Sequence, residues 1–251
     1  MTGDDHALAR DLAVQAGRRL LGLRAQGGEA DVLREAGDRL SHDFLSAELA
    51  ARRPGDVVLS EEGADNPARL GAGRVWIVDP LDGTREFGEP GRTDWAVHVA
   101  LWEKGDLVAG AVALPAQDQV LSTAEPPPSR ADDEAPGKIR IVVSRSRPPA
   151  FVRNISGLID AELVPLGSAG AKVAAVINGE VDAYVHGGGF YEWDTAAPVA
   201  VARAAGLHAS RIDGSALAYN QPDLLMPDIL VCRPALAGTL LQAIREVTNA
   251  P

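Results

Sequence analysis

The sequence predicts a protein of mixed class, with an α+β first half and an α/β second half. Two patterns of helical periodicity open the chain and are followed by a run of strands. In the second half, strands and helices alternate along the chain. A segment rich in proline and acidic residues, Ala124 to Gly137, separates the halves and has no apolar period. We therefore predict one lobe over residues 1–124, a linker over 125–137 and a second lobe over 138–251.

Helical spacing of apolar residues predicts two helices in the first lobe, over residues 7–24 and about 38–53. A short strand then ends in a pair of glutamates, and the next strand covers residues 74–78. Two further strands follow, joined by a turn at residues 104–106. The first lobe is therefore expected to hold a largely antiparallel sheet behind two helices.

The second lobe is predicted to alternate four strands with four helices. The predicted strands are residues 138–144, 162–166, 181–186 and 229–233, and the predicted helices are residues 149–160, 169–178, 194–205 and 235–247.

Composition excludes several classes of protein. With 251 residues, of which 46% are hydrophobic, the chain can bury a sizeable core. The net charge of −11 disfavours a nucleic acid polymer or an anionic membrane as partner. One cysteine rules out a disulfide framework and a cysteine-rich metal site. The acidic N-terminus does not resemble a signal peptide, and no apolar run is long enough to span a membrane, so we expect a cytoplasmic protein.

The strand over residues 74–78 is followed by the run DPLDGT, which combines two acids with a tight turn. Pro80 has a fixed φ and biases Asp79 toward extended backbone. Gly83 permits a sharp turn, which places Asp82 at the start of a short helix. Both carboxylates can then point to one spot, with the carbonyl of Leu81 between them. Such oxygen atoms are the ligands that Mg²⁺ prefers.

The same turn offers an anion site, because the N–H groups of Gly83 and Thr84 would lie at a helix N-terminus. The alternative is purely structural, since an aspartate before a helix is usually an N-cap and Asp-Gly is usually a turn. Two acids beside a buried strand cost stability unless something neutralises them, so the functional interpretation is favoured.

Two more acids are candidates for the same site. Glu61 follows a predicted strand, and Asp194 lies at the start of a helix of small residues, where an N-cap is the alternative. With Asp79 and Asp82 they make four carboxylates, enough for two or three Mg²⁺ ions that keep positions open for water and phosphate.

These residues carry a resemblance to a known family. The runs DPLDGTREF (residues 79–87) and WDTAA (193–197), with SEE at 60–62, resemble the lithium-sensitive, inositol monophosphatase-like superfamily in order and spacing. The resemblance covers essentially the whole chain. It implies a layered αβαβα sandwich and Mg²⁺-dependent hydrolysis of a phosphate monoester, with Mn²⁺ as a substitute and Li⁺ as an inhibitor.

The resemblance also implies roles for single residues. The metal ligands would be Glu61, Asp79, Asp82, Asp194 and the carbonyl of Leu81.

The phosphate would be held by Gly83 and Thr84, and Thr84 would help to orient the attacking water. A further family acid, just before the second helix, maps onto Asp38 as the water-activating partner of Thr84. There the sequence departs from the family, because LREAG (residues 33–37) replaces the usual Pro-Val-Thr and an upstream lysine has no clear match. An exposed N-cap is the alternative role for Asp38.

Three features resemble the CysQ-type 3′(2′),5′-bisphosphate nucleotidases within this superfamily. Glu86 stands where inositol monophosphatases usually carry asparagine. The run VVSRSRP (residues 142–148) resembles a nucleotidase strand, and Lys172 stands before Tyr184 where nucleotidases have lysine.

A second substrate phosphate needs cations beyond the metals, which makes Ser144, Arg145 and Lys172 candidate substrate-binding residues. The alternatives are a solvated basic surface for Arg145 and Arg147 and a helix-surface charge for Lys172. The glycine-rich loop at residues 186–193 could approach a base or a ribose.

The sequence thus predicts a Mg²⁺-dependent nucleotidase that converts 3′-phosphoadenosine 5′-phosphate to AMP and phosphate, and that could also act on the sulfated form. An inositol monophosphatase or fructose-1,6-bisphosphatase is the first alternative. A non-catalytic regulator that binds metal or nucleotide is an alternative of another class. A homodimer is possible, because dimers occur in the superfamily.

Overall fold

The computed structural model describes residues 4–128 and 137–248, which form two five-stranded sheets between layers of helices and one small two-stranded sheet. The α-helices are α1 Asp5–Ala25, α2 Ala30–Arg52, α3 Thr84–Gly88, α4 Ala150–Leu158, α5 Ala169–Asn178, α6 Glu192–Ala204 and α7 Pro234–Thr248. The strands are β1 Val57–Ser60, β2 Arg74–Asp82, β3 Ala96–Glu103, β4 Asp106–Leu114, β5 Gln119–Ser122, β6 Arg140–Ser144, β7 Glu162–Leu166, β8 Ala183–His186, β9 Phe190–Tyr191, β10 His208–Ser210, β11 Leu225–Met226 and β12 Ile229–Cys232.

The first sheet has the order β1-β2-β3-β4-β5, and every neighbouring pair except β1–β2 is antiparallel. One face of this sheet is covered by α1 and α2. Leu8, Leu12, Ala16 and Leu20 of α1 recur every four residues and are buried against the sheet, as helical periodicity predicts.

The other face of the first sheet packs on α5 and α6, which lie between the two sheets. All residues of α5 from Ala169 to Ile177 are buried, as expected for a helix with sheet on both sides. Helix α6 lies so close to β4 that a Cβ on Gly110 would come within 2.7 Å of the Ala200 Cβ. Small residues in α6 and β4 therefore permit this close packing.

The second sheet has the order β10-β12-β8-β6-β7, and α4 and α7 cover its outer face. Val152 and Ile155 of α4 pack there with Leu240 and Ile244 of α7. The layers therefore run helix, sheet, helix, sheet, helix, and the predicted αβαβα sandwich is confirmed. No helix in the described ranges is both long and apolar enough to cross a membrane.

Helix α2 begins at Ala30, eight residues before the predicted start. Gly37 lies inside the helix, on its buried face. A Cβ at Gly37 would lie 2.8 Å from the Phe87 ring and 2.9 Å from Leu81, so the glycine permits close packing. Asp38 is therefore in the helix interior, and the N-cap alternative is wrong.

Strand β2 continues past Val78, where the sequence predicted its end, to Asp82. Asp79 pairs with His98 and Asp82 with Ala96, so three steps along β2 match two steps along β3. This bulge contains Pro80, which has no N–H to donate to the ladder. The acidic run therefore lies inside a bulged strand rather than after it.

The proposed division into lobes stays a prediction. Residues 129–136 of the predicted linker lie outside the described residues. The two halves share one core, since α5 and α6 of the second half pack on the first sheet.

Candidate metal and substrate site

Three carboxylates from distant parts of the chain converge beside the β2 bulge. One oxygen of each of Asp79, Asp82 and Asp194 lies within 4.8 Å of the others. The Leu81 N–H donates to Asp79 Oδ1 at 3.0 Å, and the Tyr191 N–H donates to Asp194 Oδ2 at 2.6 Å. The bulge and the first turn of α6 thus hold these acids in place, and the structure brings together three of the predicted ligands.

The negative charge of this cluster is poorly compensated by its surroundings. Asp79 is 1% exposed, and burial raises the pKa of this carboxyl well above its usual value, with Glu61 and Asp82 acting in the same direction. Glu61 is exposed at the edge of this cluster, outside the three converging acids. Partial loss of water around its carboxyl still raises the pKa of Glu61 to about 7, with the charge of Asp194 adding to it and a hydrogen bond with Asp79 opposing it. Burial raises the pKa of Asp194 to about 6. A bound cation would offset this charge, and carboxylate oxygens suit the hard cation Mg²⁺.

Asp82 has a different environment, because the start of α5 satisfies both of its oxygen atoms. The Ser168 hydroxyl donates to Oδ2 at 2.5 Å, and the Gly170 N–H donates to the same oxygen at 2.6 Å. The Ala169 N–H donates to Oδ1 at 3.1 Å. Asp82 therefore ties β2 to the N-terminus of α5, where a negative charge is favourable.

His98 is a residue of this site that the sequence reasoning missed. It is fully buried in β3, with Nδ1 3.1 Å from the Trp193 carbonyl oxygen and Nε2 3.2 Å from Asp82 Oδ2. Burial works to raise the pKa of Asp82, but His98 and Lys172 outweigh it and lower this pKa to about 2. The sequence feature that could have indicated His98 is a single histidine within the apolar run WAVHVALW.

Thr84 and Asp38, the predicted pair for water activation, lie next to each other. The Thr84 hydroxyl is 3.3 Å from Asp38 Oδ1 and 3.0 Å from the Leu81 carbonyl oxygen. Burial raises the pKa of Asp38 to about 6, with Glu62 adding to the effect and the Thr84 hydroxyl opposing it. Asp38 is half-buried, and with this pKa its carboxyl is largely ionised at pH 7.

Gly83 separates the acids from α3 in the left-handed conformation, with a φ of +84°. A Cβ there would lie 3.0 Å from the Ser168 Cβ and 3.3 Å from the Asp94 carbonyl oxygen. Glycine is thus required both by the turn and by the close approach of α5.

A cavity of about 600 Å³ opens onto Asp82 and Asp194. The turn at Gly83 and helix α3 form one side, and the segment after β6 forms another. The cavity also reaches the glycine-rich loop, where His186 and Phe190 line it. The rings of Tyr191 and Trp193 stack on each other, with centroids 4.8 Å apart.

Of the three predicted substrate-binding residues, two line the cavity and one does not. Ser144 and Lys172 line the cavity. Lys172 is buried, with Nζ donating to the Ser168 carbonyl at 2.6 Å and the Gly167 carbonyl at 3.1 Å, so it is not a helix-surface charge. The Arg145 guanidinium instead donates to the carboxylates of Glu86 and Glu89, and its role in substrate binding stays a prediction.

Comparison with known proteins agrees with this geometry. The profile of the Inositol monophosphatase family matches residues 7–249 of the chain. The chain belongs to the inositol monophosphatase family. The superfamily resemblance seen in the sequence is thereby confirmed.

Relatives within this family include nucleotidases. The chain is 50% identical to a protein of Mycobacterium leprae (strain TN) named 3′-phosphoadenosine 5′-phosphate phosphatase, over 97% of this chain and 94% of that protein. It is 35% identical to the 3′(2′),5′-bisphosphate nucleotidase CysQ of Escherichia coli (strain K12), over 74% and 78% of the two chains. Among solved structures, CysQ from Bacteroides thetaiotaomicron superposes with a TM-score of 0.79 at 28% identity, covering 91% of this chain and 97% of that one.

Proposed function

We propose that this chain is a Mg²⁺-dependent 3′(2′),5′-bisphosphate nucleotidase that hydrolyses 3′-phosphoadenosine 5′-phosphate to AMP and phosphate. The sulfated analogue, which would give adenosine 5′-phosphosulfate, is a second candidate substrate. The observation that carries the proposal is the cavity that joins the acid cluster to the segment after β6, which bears the exposed Arg147. Such a cavity offers a metal site for one phosphate and a cationic side chain for another. The name of the Mycobacterium leprae relative supports the same substrate.

The proposed ligands of two or three Mg²⁺ ions are Glu61, Asp79, Asp82, Asp194 and the Leu81 carbonyl. When bound, Mg²⁺ stabilises negative charge on the phosphate and makes a water molecule more acidic. We expect Mn²⁺ to substitute and Li⁺ to inhibit.

Phosphate binding and water activation would be carried out by residues of the Gly83 turn and of α2. The N–H groups of Gly83 and Thr84 would hold the phosphate oxygens, and the Thr84 hydroxyl would orient the attacking water. Asp38, within 3.3 Å of that hydroxyl, would accept the proton through it. The water oxygen forms a bond to phosphorus while the bond from phosphorus to the 3′-oxygen breaks, and the 3′-oxygen leaves with a proton from solvent.

The test is phosphate release by the purified protein with Mg²⁺, with and without Li⁺. The substrates are 3′-phosphoadenosine 5′-phosphate, inositol 1-phosphate and fructose 1,6-bisphosphate at equal concentration. We expect strong preference for the nucleotide and inhibition by Li⁺. Preference for either sugar substrate would overturn the substrate assignment but would not contradict the proposed metal site. No release from any substrate with Mg²⁺ or Mn²⁺ would favour a non-catalytic regulator.

A homodimer and a cytoplasmic location stay predictions. Sedimentation of the purified protein would test the first, and localisation of a tagged chain would test the second.

A further inference from the structure

We propose that Arg147, rather than Arg145, binds the second phosphate of the bisphosphate substrate, the one that is not hydrolysed. This assignment rests on the proposed function, because only a substrate with two phosphates needs such a subsite. The two arginines stand two positions apart in the run SRSR after β6, and the sequence alone does not distinguish them.

Arg145 already has carboxylate partners. Its guanidinium donates to Glu86 Oε1 at 2.7 Å and to Glu89 Oε1 at 3.0 Å. Glu86 is 5% exposed and lies against Gly167, where a Cβ would come within 2.4 Å of the carboxylate carbon. If Arg145 turned to a phosphate, a buried carboxylate would lose its charged partner. Arg145 therefore joins α3 to the second sheet and is not available for an anion.

Arg147 differs from Arg145 in its exposure and in its contacts. Its backbone N–H donates to the Ser144 hydroxyl at 3.2 Å, which fixes a tight turn after β6. Arg147 is exposed and lines the cavity. Within residues 4–128 and 137–248 its guanidinium makes no hydrogen bond or ion pair. Its five N–H donors can thus meet a phosphate, and the hydroxyls of Ser144 and Ser146 line the same part of the cavity.

The other cationic groups around the cavity suit the second phosphate less well. Lys172 is buried and already donates to two carbonyl oxygens. Burial lowers the pKa of His186 to about 4, with Lys172 and Arg147 acting in the same direction, so this ring is neutral at pH 7. Arg85 lines the cavity from α3, next to the Thr84 turn proposed for the scissile phosphate.

The chemistry of the substrate fits this arrangement. The 3′- and 5′-phosphates of a nucleotide project from opposite sides of the ribose. A nucleotide with its 3′-phosphate at the acids and Gly83 would direct its 5′-phosphate away from that turn. The segment after β6 lines the same cavity and carries the exposed Arg147.

The test measures kcat/KM for 3′-phosphoadenosine 5′-phosphate and for 3′-AMP, which lacks the second phosphate, in the wild type and two variants. In Arg147→Gln we expect the ratio of bisphosphate to monophosphate to fall about 10- to 100-fold, mainly through KM, because charge-assisted hydrogen bonds are lost. Arg85→Gln is the matched control, since it removes an exposed arginine from the same cavity. It should lower both values by a similar factor and leave the ratio unchanged.

The outcomes separate this assignment from the proposed function. If the wild type prefers the bisphosphate and Arg147→Gln keeps that preference, the Arg147 subsite is wrong and the proposed function stands. A ratio that falls in Arg85→Gln instead would also overturn it. If the wild type shows no preference for the bisphosphate over inositol 1-phosphate, the proposed function itself fails. Thermal melting of each variant checks that the fold is intact.

Discussion

Asp79 and Asp82 lie three residues apart in one strand and are both buried. Their surroundings nevertheless shift the two pKa values in opposite directions. Burial raises the pKa of Asp79 well above the usual value, and the charges of neighbouring carboxylates add to this, although His98 Nδ1 lies 4.0 Å from Asp79 Oδ2. Asp82 faces His98, Lys172 and the start of α5, and its pKa is lowered to about 2 despite burial. The protein itself compensates the charge of Asp82 and leaves that of Asp79 for a cation. The first carboxylate therefore costs folding stability when metal is absent, whereas the second contributes to it.

The largest expected effect is on turnover, in Asp79→Asn. Loss of this proposed ligand should lower kcat about a thousandfold or more. The amide oxygen can still accept from the Leu81 N–H, and a buried negative charge disappears. The metal-free variant should therefore be more stable than the metal-free wild type by about 1–3 kcal/mol. Denaturant unfolding and steady-state kinetics check both effects, with the exposed Asp106→Asn as control. Full activity in Asp79→Asn would contradict the metal assignment.

The same substitution at Asp82 should have the opposite effect on stability. An asparagine there has one acceptor oxygen and an NH₂ group that meets the N–H groups at the start of α5. Buried donors then lose their partners, and we expect a loss of about 2–4 kcal/mol in metal-free protein. Unfolding of the two variants side by side gives the comparison. If both changes have the same sign, the distinction between the two carboxylates is wrong.

The stability of the metal-free protein should depend on pH in the range where Glu61 and Asp194 titrate. Glu61 and Asp194 have folded pKa values of about 7 and about 6, above their usual values, so the unfolded chain loses these protons first. Stability should therefore fall as pH rises from about 4 to about 7. Thermal melts in chelator should show a decrease of several degrees over this range, and saturating Mg²⁺ should abolish it. A metal-free protein that becomes more stable over the same range would contradict the pKa directions.

The smallest effect concerns the turn between the two environments. Gly83→Ala places a Cβ 3.0 Å from Ser168 at a φ of +84°. Gly91 has a similar φ of +77° but open space around its Cβ position, so Gly91→Ala isolates the conformational strain. We expect Gly83→Ala to be the more destabilising by about 1 kcal/mol. Equal unfolding free energies for the two variants would show that α5 does not press on this turn.

Much of this site could be predicted because its signals are local. The run DPLDGT places two acids, a proline and a glycine within six residues, and the apolar spacing in α1 indicates a helix. The errors arose where tertiary packing overrides a local signal. Helix α2 begins eight residues before the predicted start, and Gly37 inside it permits close packing on Phe87. Strand β2 continues past its predicted end at Val78, through a bulge that contains Pro80.

The sequence could not predict which of two neighbouring arginines has a carboxylate partner, for a different reason. Arg145 and Arg147 share one turn and one chemistry, and only the three-dimensional position of Glu86 decides which of them is paired. The role of His98 also depends on a contact with Asp82, sixteen residues earlier in the chain, that no spacing rule indicates.

If a metal ion completes the environment of Asp79, calorimetric titration of the metal-free protein with Mg²⁺ should detect its binding. Metal-free wild type at about pH 6.5 would be titrated in two buffers of different ionisation enthalpy. We predict Mg²⁺ binding with net release of protons, because the carboxyl groups with raised pKa values must ionise to bind metal. Asp79→Asn should bind more weakly and release fewer protons. Absence of Mg²⁺ binding, or binding without proton release, would contradict the account.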